Sequence, residues 1–284
     1  MIRLTTEDGV PTCVAELGNR VAVYLDNDSL IHLARDGTGL QPRFVSAIRH
    51  RGSLLFSFTN AIEVSGPQGD TAAAVWSFLD AIGSCWLPLA LSPWEVADRE
   101  SAGAGPQSAV SENFIRAYFQ ERAYELSPEG SLVLNLSADS FFRLSAVVNW
   151  AQQDRAGIQQ RSAAIDEALR DRIRNEQRAY EADPAALDVS LPPVAFDPLR
   201  PGTFALIHLL RILVREARAY QFAPHDGLDL CHAVLGAAYA RIATLDRQWK
   251  RRIGQIPGPN QLAEVYYRPE VADLVARLEA LVAG

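Results

Sequence analysis

Lysine is all but missing from this chain. Lys250 is the only one, so the basic residues are almost all arginine. Arginine can grip phosphate bidentately, but the formal net charge is -7 and the pI about 5.3. That balance argues against a broad basic face for long duplex nucleic acid. Cysteine is scarce too. Cys13, Cys85 and Cys231 stand far apart and form neither a CxxC pair nor a Cys/His zinc spacing. An odd count, with Cys231 inside a helical pattern, predicts reduced thiols. There is no long uncharged apolar run: the most apolar window, 204–214, contains His208 and Arg211 and is too short to span a bilayer. Met1-Ile2-Arg3 leads into Thr-Thr-Glu-Asp, not an apolar signal core. The expectation is a cytoplasmic protein with no membrane partner. No internal repeat or low-complexity tract is visible.

What is present is an ordinary globular balance, 48% hydrophobic and 21% charged over 284 residues, enough for a large core. Residues 1–20 predict a hairpin or short strands. Residues 21–25 form a run of fully buried strand type that stops on Asp26-Asn27-Asp28, and SLIHLAR follows with helical spacing. Further strands are expected at 53–58, 84–91 and 241–245, with a last edge strand at 265–267. Helices are expected at 29–35, 42–51, 59–64, 70–82, 92–100, 203–220, 225–239 and 270–282, and a basic turn at 247–252. Ser92 and Pro93 open their helix as N-cap and N1. Alternating strands and helices predict an α/β fold with a doubly wound, mainly parallel sheet. The alternation breaks at a small-residue linker, 101–107. Residues 111–183 then read as helical, and Pro184, Pro192, Pro193, Pro198 and Pro201 mark a linker in which local disorder is expected. The simplest organisation is one α/β domain built from about 1–100 and 203–284, with 101–202 as a helical insertion and Pro-rich linker.

Four carboxylates fall where one site could form. Asp26 and Asp246 end strands. Glu63 lies one turn into the helix after the second strand, and Asp229 in the first turns of the helix before the RIATL strand. The carboxyl ends of parallel strands and the starts of the following helices share one edge. Acids gathered there resist ionisation unless a cation is present. Oxygen donors without a His/Cys cluster point to Mg²⁺ or Mn²⁺.

Three segments, LDNDSLIHLA at 25–34, SFTNAIEVSG at 57–66 and DGLDLCHAVLGAAYARIATLDR at 226–247, resemble the PIN-like domain family, which includes VapC-type toxins. The matching stretches cover about 20–100 and 205–250. The family pattern is an Asp after the first strand, an acid on an early helix, an Asp on a later helix and often a fourth acid after the next strand. Asp26, Glu63, Asp229 and Asp246 match it in order. The resemblance implies a three-layer α/β/α fold with a central, mainly parallel sheet. It also implies metal-dependent phosphodiester cleavage, usually of RNA, with Asp26, Glu63 and Asp229 as Mg²⁺ or Mn²⁺ ligands. It suggests a toxin–antitoxin or defence role, with an antitoxin partner and a homodimer. The competing reading is a catalytically inactive PIN-like module that binds a protein.

Each residue also has a plainer role. Asp26 could cap the helix near Ser29, although Asp28 is the preferred cap, and Ser29 could be the cap or orient a ligand. Glu63 could be a solvated helix acid, and Glu100 is the rival second acid. Asp229 and His232 share a helix face, and His232 could be a core residue or a substrate contact. Asp226 is read as the N-cap of that helix, and Asp246 could cap the turn after it. Arg247, Lys250 and Arg251, with Arg252 and Trp249 among them, could hold single-stranded RNA by phosphate and base stacking, or form a solvated face. Arg170, Arg174 and Arg178, interleaved with Asp166, Glu167, Asp171 and Glu176, read as a salt-bridged solvent face. Phe114, Tyr118, Phe141, Phe142 and Trp150 read as insert core.

Overall fold

The computed structural model describes residues 2–7, 10–16, 18–64, 66–90, 92–111, 143–153, 155–216, 226–258 and 261–284. A hairpin comes first, β1 (Ile2–Glu7) and β2 (Val10–Ala15), antiparallel. Then follow β3 (Val21–Tyr24), α1 (Asn27–Ala34), α2 (Leu40–Arg51), β4 (Gly52–Ser57), α3 (Phe58–Val64), α4 (Gly69–Ile82), β5 (Trp86–Leu89) and α5 (Pro93–Ser101). After a 3-10 turn, Gly105–Ala109, come α6 (Leu144–Gln153), α7 (Arg155–Ala182), α8 (Ala186–Ser190), α9 (Pro201–Arg215) and α10 (Asp226–Tyr239). The chain closes with β6 (Ile242–Thr244), α11 (Arg247–Ile253), β7 (Glu264–Tyr266), a 3-10 turn at Arg268–Glu270, and α12 (Val271–Ala283). The result is an α/β fold with a five-stranded, all-parallel sheet in the order β5-β4-β3-β6-β7, consistent with three layers. The expected insert aromatics Phe114, Tyr118, Phe141 and Phe142 lie outside the described residues, as does the side chain of Trp150.

The chain divides into two compact units. The first comprises 1–91, 110–153 and 268–284. Here β3 pairs with β4 (Val21 opposite Gly52) and β4 with β5 (Leu54 opposite Trp86). Every residue of β4 is buried, as expected for a strand covered on both faces. Helix α2 runs directly into β4 at Gly52. A Cβ there would sit 2.8 Å from the Ile48 Cα, so only glycine permits the tight exit. Apolar residues at helical spacing (Leu30 and Leu33 of α1, Phe44 and Ile48 of α2, Val75, Phe78, Leu79 and Ile82 of α4) are fully buried. Phe44 meets Phe78 with ring centroids 5.9 Å apart. Each such side chain contributes roughly 1.5–3 kcal/mol of burial.

The second unit comprises 92–109 and 154–267. Its strands β6 and β7 pair in parallel, Ile242 opposite Glu264. The long α7 turns Asp166, Leu169 and Ile173 inward and packs against α9 and α10. The Pro-rich stretch 184–201, expected to be disordered, is instead tied down. It carries α8, with Leu187 and Leu191 buried. Buried Arg211 of α9 donates to the Leu187 and Leu191 carbonyls and pairs with Asp188 at 2.6 Å. A guanidinium with several donors satisfied in this way anchors backbone that proline alone would leave loose. Among the described residues no helix is long and apolar enough to cross a membrane.

Candidate functional site

In the first unit the carboxyl ends of β3 and β4 are joined by a small polar network. Asp26 is the N-cap of α1: its Oδ1 accepts from the Ser29 amide at 2.9 Å. The expectation that Asp28 would cap is therefore wrong. Asp28 points outward and pairs with Arg268 at 3.2 Å. The geometric reason is position: the cap residue must precede the first helical residue by one, and Asn27 is that first residue. At the end of β4, buried Asn60 uses Oδ1 to accept from the Ser57 amide (2.9 Å) and hydroxyl (2.8 Å). Its amide group donates to the Asn27 Oδ1 at 3.1 Å. Asn60 therefore locks the start of α3 to the residue beside Asp26. Glu63, three residues further along α3, has an exposed side chain. Ser29 Oγ is fully buried next to the Asp26 cap and makes no hydrogen bond among the described residues. Asn60 was not singled out from the sequence, although Ser57-x-x-Asn60 at a strand-to-helix junction is a recognisable side-chain turn.

In the second unit Asp229 is half-buried in the first turn of α10. The amide of Gly227 in that turn donates to Asp166 of α7, Oδ1 at 2.9 Å; Asp226, expected as the N-cap, is itself the first residue of the helix. Asp166 also pairs with Arg170 at 2.7 Å. It is buried, so this i, i+4 pair is not the solvent-face bridge expected of it. Its approach depends on glycine: a Cβ on Gly227 would meet the Asp166 Oδ1 at 2.6 Å. The buried Cys231 thiol is pushed up to about 12, first by burial and then by Asp166 and Asp229, and it is an inert thiol. His232 is pushed down to about 4 by burial of its ring. It is a neutral imidazole at pH 7 and offers substrate no positive charge.

Glu100, the rival second acid, is only 2% exposed. It accepts from the Gly202 and Thr203 amides at 2.7 and 2.8 Å, from the Thr203 hydroxyl at 2.6 Å and from the Tyr239 hydroxyl. Four donors saturate this carboxylate at the start of α9, and burial together with Glu100 drives the Tyr239 phenol upward. Glu100 is an anchor of the fold. Asp246, exposed at the end of β6, is the N-cap of α11 and accepts from the Trp249 amide at 2.8 Å.

Trp249 is buried and cannot stack a base. The Arg252 guanidinium, fully buried as well, lies over its ring at 4.6 Å. Arg251 and Arg252 both pair with Glu216 at 3.0 Å. The expected RNA-gripping run is therefore partly internal. Arg247 is exposed and Lys250 half-buried.

All candidate metal donors are oxygens, of the kind that suits Mg²⁺ or Mn²⁺, and the orphaned Ser29 hydroxyl beside Asp26 adds one more of that type. Among the described residues, however, no three or more His, Cys, Asp or Glu form a group that could hold an ion. Asp26 and Glu63 belong to the first unit, and Asp229, His232 and Asp246 to the second. Comparison with family models, with curated proteins and with solved structures returns no match.

Proposed function

We propose that the protein is a metal-dependent endoribonuclease of PIN-like type, acting as the toxin of a toxin–antitoxin or defence system. In this reading Asp26, Glu63 and Asp229 would hold Mg²⁺ or Mn²⁺, and Asp246 would complete the acidic set. The observation that carries this reading is the placement of Asp26. It follows β3, the strand at which the sheet order reverses, where open α/β sheets place their ligands, and it stands beside a fully buried, unsatisfied hydroxyl. A metal held there would supply water activation and charge stabilisation for phosphodiester hydrolysis. The chain's own part is to hold the donors in place: the Asn60–Asn27 bond fixes α3 against α1, and Asp166 holds the first turn of α10. His232, neutral, can act only as a hydrogen-bond partner.

One observation favours the second reading, a non-catalytic protein-binding module. Both strand-end acids already serve as helix caps, a role that needs no chemistry. A cleavage assay on labelled single-stranded RNA with Mg²⁺ or Mn²⁺ separates the two. Asparagine caps helices about as well as aspartate, so Asp26→Asn preserves the cap while removing the charge. Loss of cleavage in Asp26→Asn, in Asp229→Asn and on adding EDTA supports the nuclease. Purified wild type that cleaves no RNA supports the binding module.

A further inference from the structure

In the first unit a chain of hydrogen bonds runs from β4 to the residue beside Asp26, and its polarity is fixed from end to end. The Ser57 backbone amide can only donate, so the Asn60 atom that it meets at 2.9 Å must be the side-chain oxygen. The Ser57 hydroxyl donates to that same oxygen at 2.8 Å and accepts from the Asn60 backbone amide at 3.0 Å. Asn60 is fully buried, and its side-chain nitrogen is left to face Asn27. A donor needs an acceptor, so Asn27 presents Oδ1, at 3.1 Å. The Asn27 carboxamide cannot flip without setting two NH₂ groups against each other, and its own Nδ2 is therefore turned away from Asn60. That nitrogen makes no hydrogen bond among the described residues. Asn27 is half-buried, and its Nδ2 is not sealed from solvent. A buried relay thus ends in an outward, pre-oriented donor on the residue that follows Asp26 and opens α1. Fixing the amide in advance removes the reorganisation that a loose surface asparagine undergoes when it meets a ligand. A neutral donor also suits the place: a guanidinium here would be captured by the acids, as Arg268 is by Asp28 at 3.2 Å.

We infer that Asn27 is a catalytic residue whose Nδ2 donates to a non-bridging oxygen of the phosphate being cleaved, and that Asn60 is the positioning residue that aims it. The inference rests on the nuclease reading. Its test is single-turnover cleavage, in Mn²⁺, of a single-stranded RNA whose cleaved linkage carries either the normal phosphate or one of its two phosphorothioate diastereomers. The full chain is compared as wild type, Asn27→Asp, Asn27→Ala, Asn60→Ala and the double variant Asn27→Ala/Asn60→Ala, each with its urea midpoint. Asn27→Asp keeps an oxygen that accepts from Asn60, so its midpoint should match wild type; Asn27→Ala removes the donor without adding charge. Both should cleave the normal RNA about a hundredfold more slowly than wild type. Wild type should be slowed by sulfur in one diastereomer more than in the other, and Asn27→Ala should lose that difference, a signature that a merely structural role would not move. Because Asn60 acts through Asn27, the double variant should be no slower than Asn27→Ala alone. The inference is overturned if Asn27→Ala cleaves as fast as wild type or keeps the wild-type diastereomer difference. It is equally overturned if Asn27→Asp retains full activity while the alanine variants lose activity only in step with their midpoints. If wild type cleaves no RNA, the nuclease reading falls and takes this assignment with it. If wild type cleaves and Asn27→Ala is unimpaired, the assignment falls alone.

Discussion

Asp26 and Glu100 each place a carboxylate at the start of a helix, α1 for Asp26 and α9 for Glu100, which itself lies at the end of α5, and they belong to different kinds of region. Around Glu100 everything converges inward: two amides and two hydroxyls meet one carboxylate that is 2% exposed. Around Asp26, itself half-buried, the polar groups run along the edge of the strands: one carboxylate oxygen takes the Ser29 amide, and a second short network, the buried Ser57 and Asn60 with Asn27, holds its neighbour. A buried acid surrounded by donors stabilises a fold because leaving those donors unpaired is costly. A half-buried acid at a strand end costs little to keep and little to change. The type of residue is the same, and its surroundings decide whether architecture or chemistry can use it.

The comparison breaks first at Glu100. Replacing it with alanine leaves four donors unsatisfied and should cost about 3–5 kcal/mol, read as a lowered urea midpoint. Asp26→Asn should move stability by less than about 0.5 kcal/mol. If the two substitutions destabilise equally, the contrast between the regions is wrong. Next comes Gly227→Ala, which forces the Asp166 contact apart and should cost roughly 1–3 kcal/mol; chemical denaturation measures it, and Asp166→Ala in the same background should add less than its cost in the wild type.

His232 sharpens the comparison through pH. Its folded value of about 4 lies below the ordinary 6.5, so between these values the unfolded chain binds a proton that the folded chain does not. Stability is therefore full above about pH 6.5 and declines toward pH 4, by about 3 kcal/mol in all. His232→Gln should flatten that limb of the stability–pH curve. The smallest effect is at Asp36. Burial alone would raise its carboxyl, but hydrogen bonds from Thr38, Gln41 and Leu40 outweigh it and hold it at about 2, below the ordinary 3.8. What this acid adds is present above about pH 4 and is lost as the pH falls toward 2. Asp36→Asn should remove only that last acid-dependent step.

The α/β alternation was legible because buried parallel strands and amphipathic helices have different periods. The strands around 21–25, 53–58 and 84–91 and the Ser92-Pro93 helix start are all present, each within a few residues. Three features were not legible, for one common reason: they depend on partners distant in sequence. Asp28 loses the cap to Asp26 and finds Arg268 instead. Asp166 serves an amide 61 positions away. The proline-rich stretch looks loose until Arg211 reaches it. Asn60 was hidden differently, since its role lies in a local turn whose value appears only when Asn27 is beside it. Of the candidate acids, Asp26, Glu63, Asp229 and Asp246 lie on the expected elements, and the capping by Asp26 and Asp246 is the plainer role that the sequence allows them.

The most direct test of the proposed function is single-turnover cleavage of labelled single-stranded RNA by wild type and by Asp26→Asn, with and without Mn²⁺, on protein whose folding is verified by its unchanged denaturation midpoint. The account predicts metal-dependent cleavage by wild type and a loss of at least about a hundredfold in Asp26→Asn at unchanged stability. Cleavage that survives both the substitution and metal removal would contradict it.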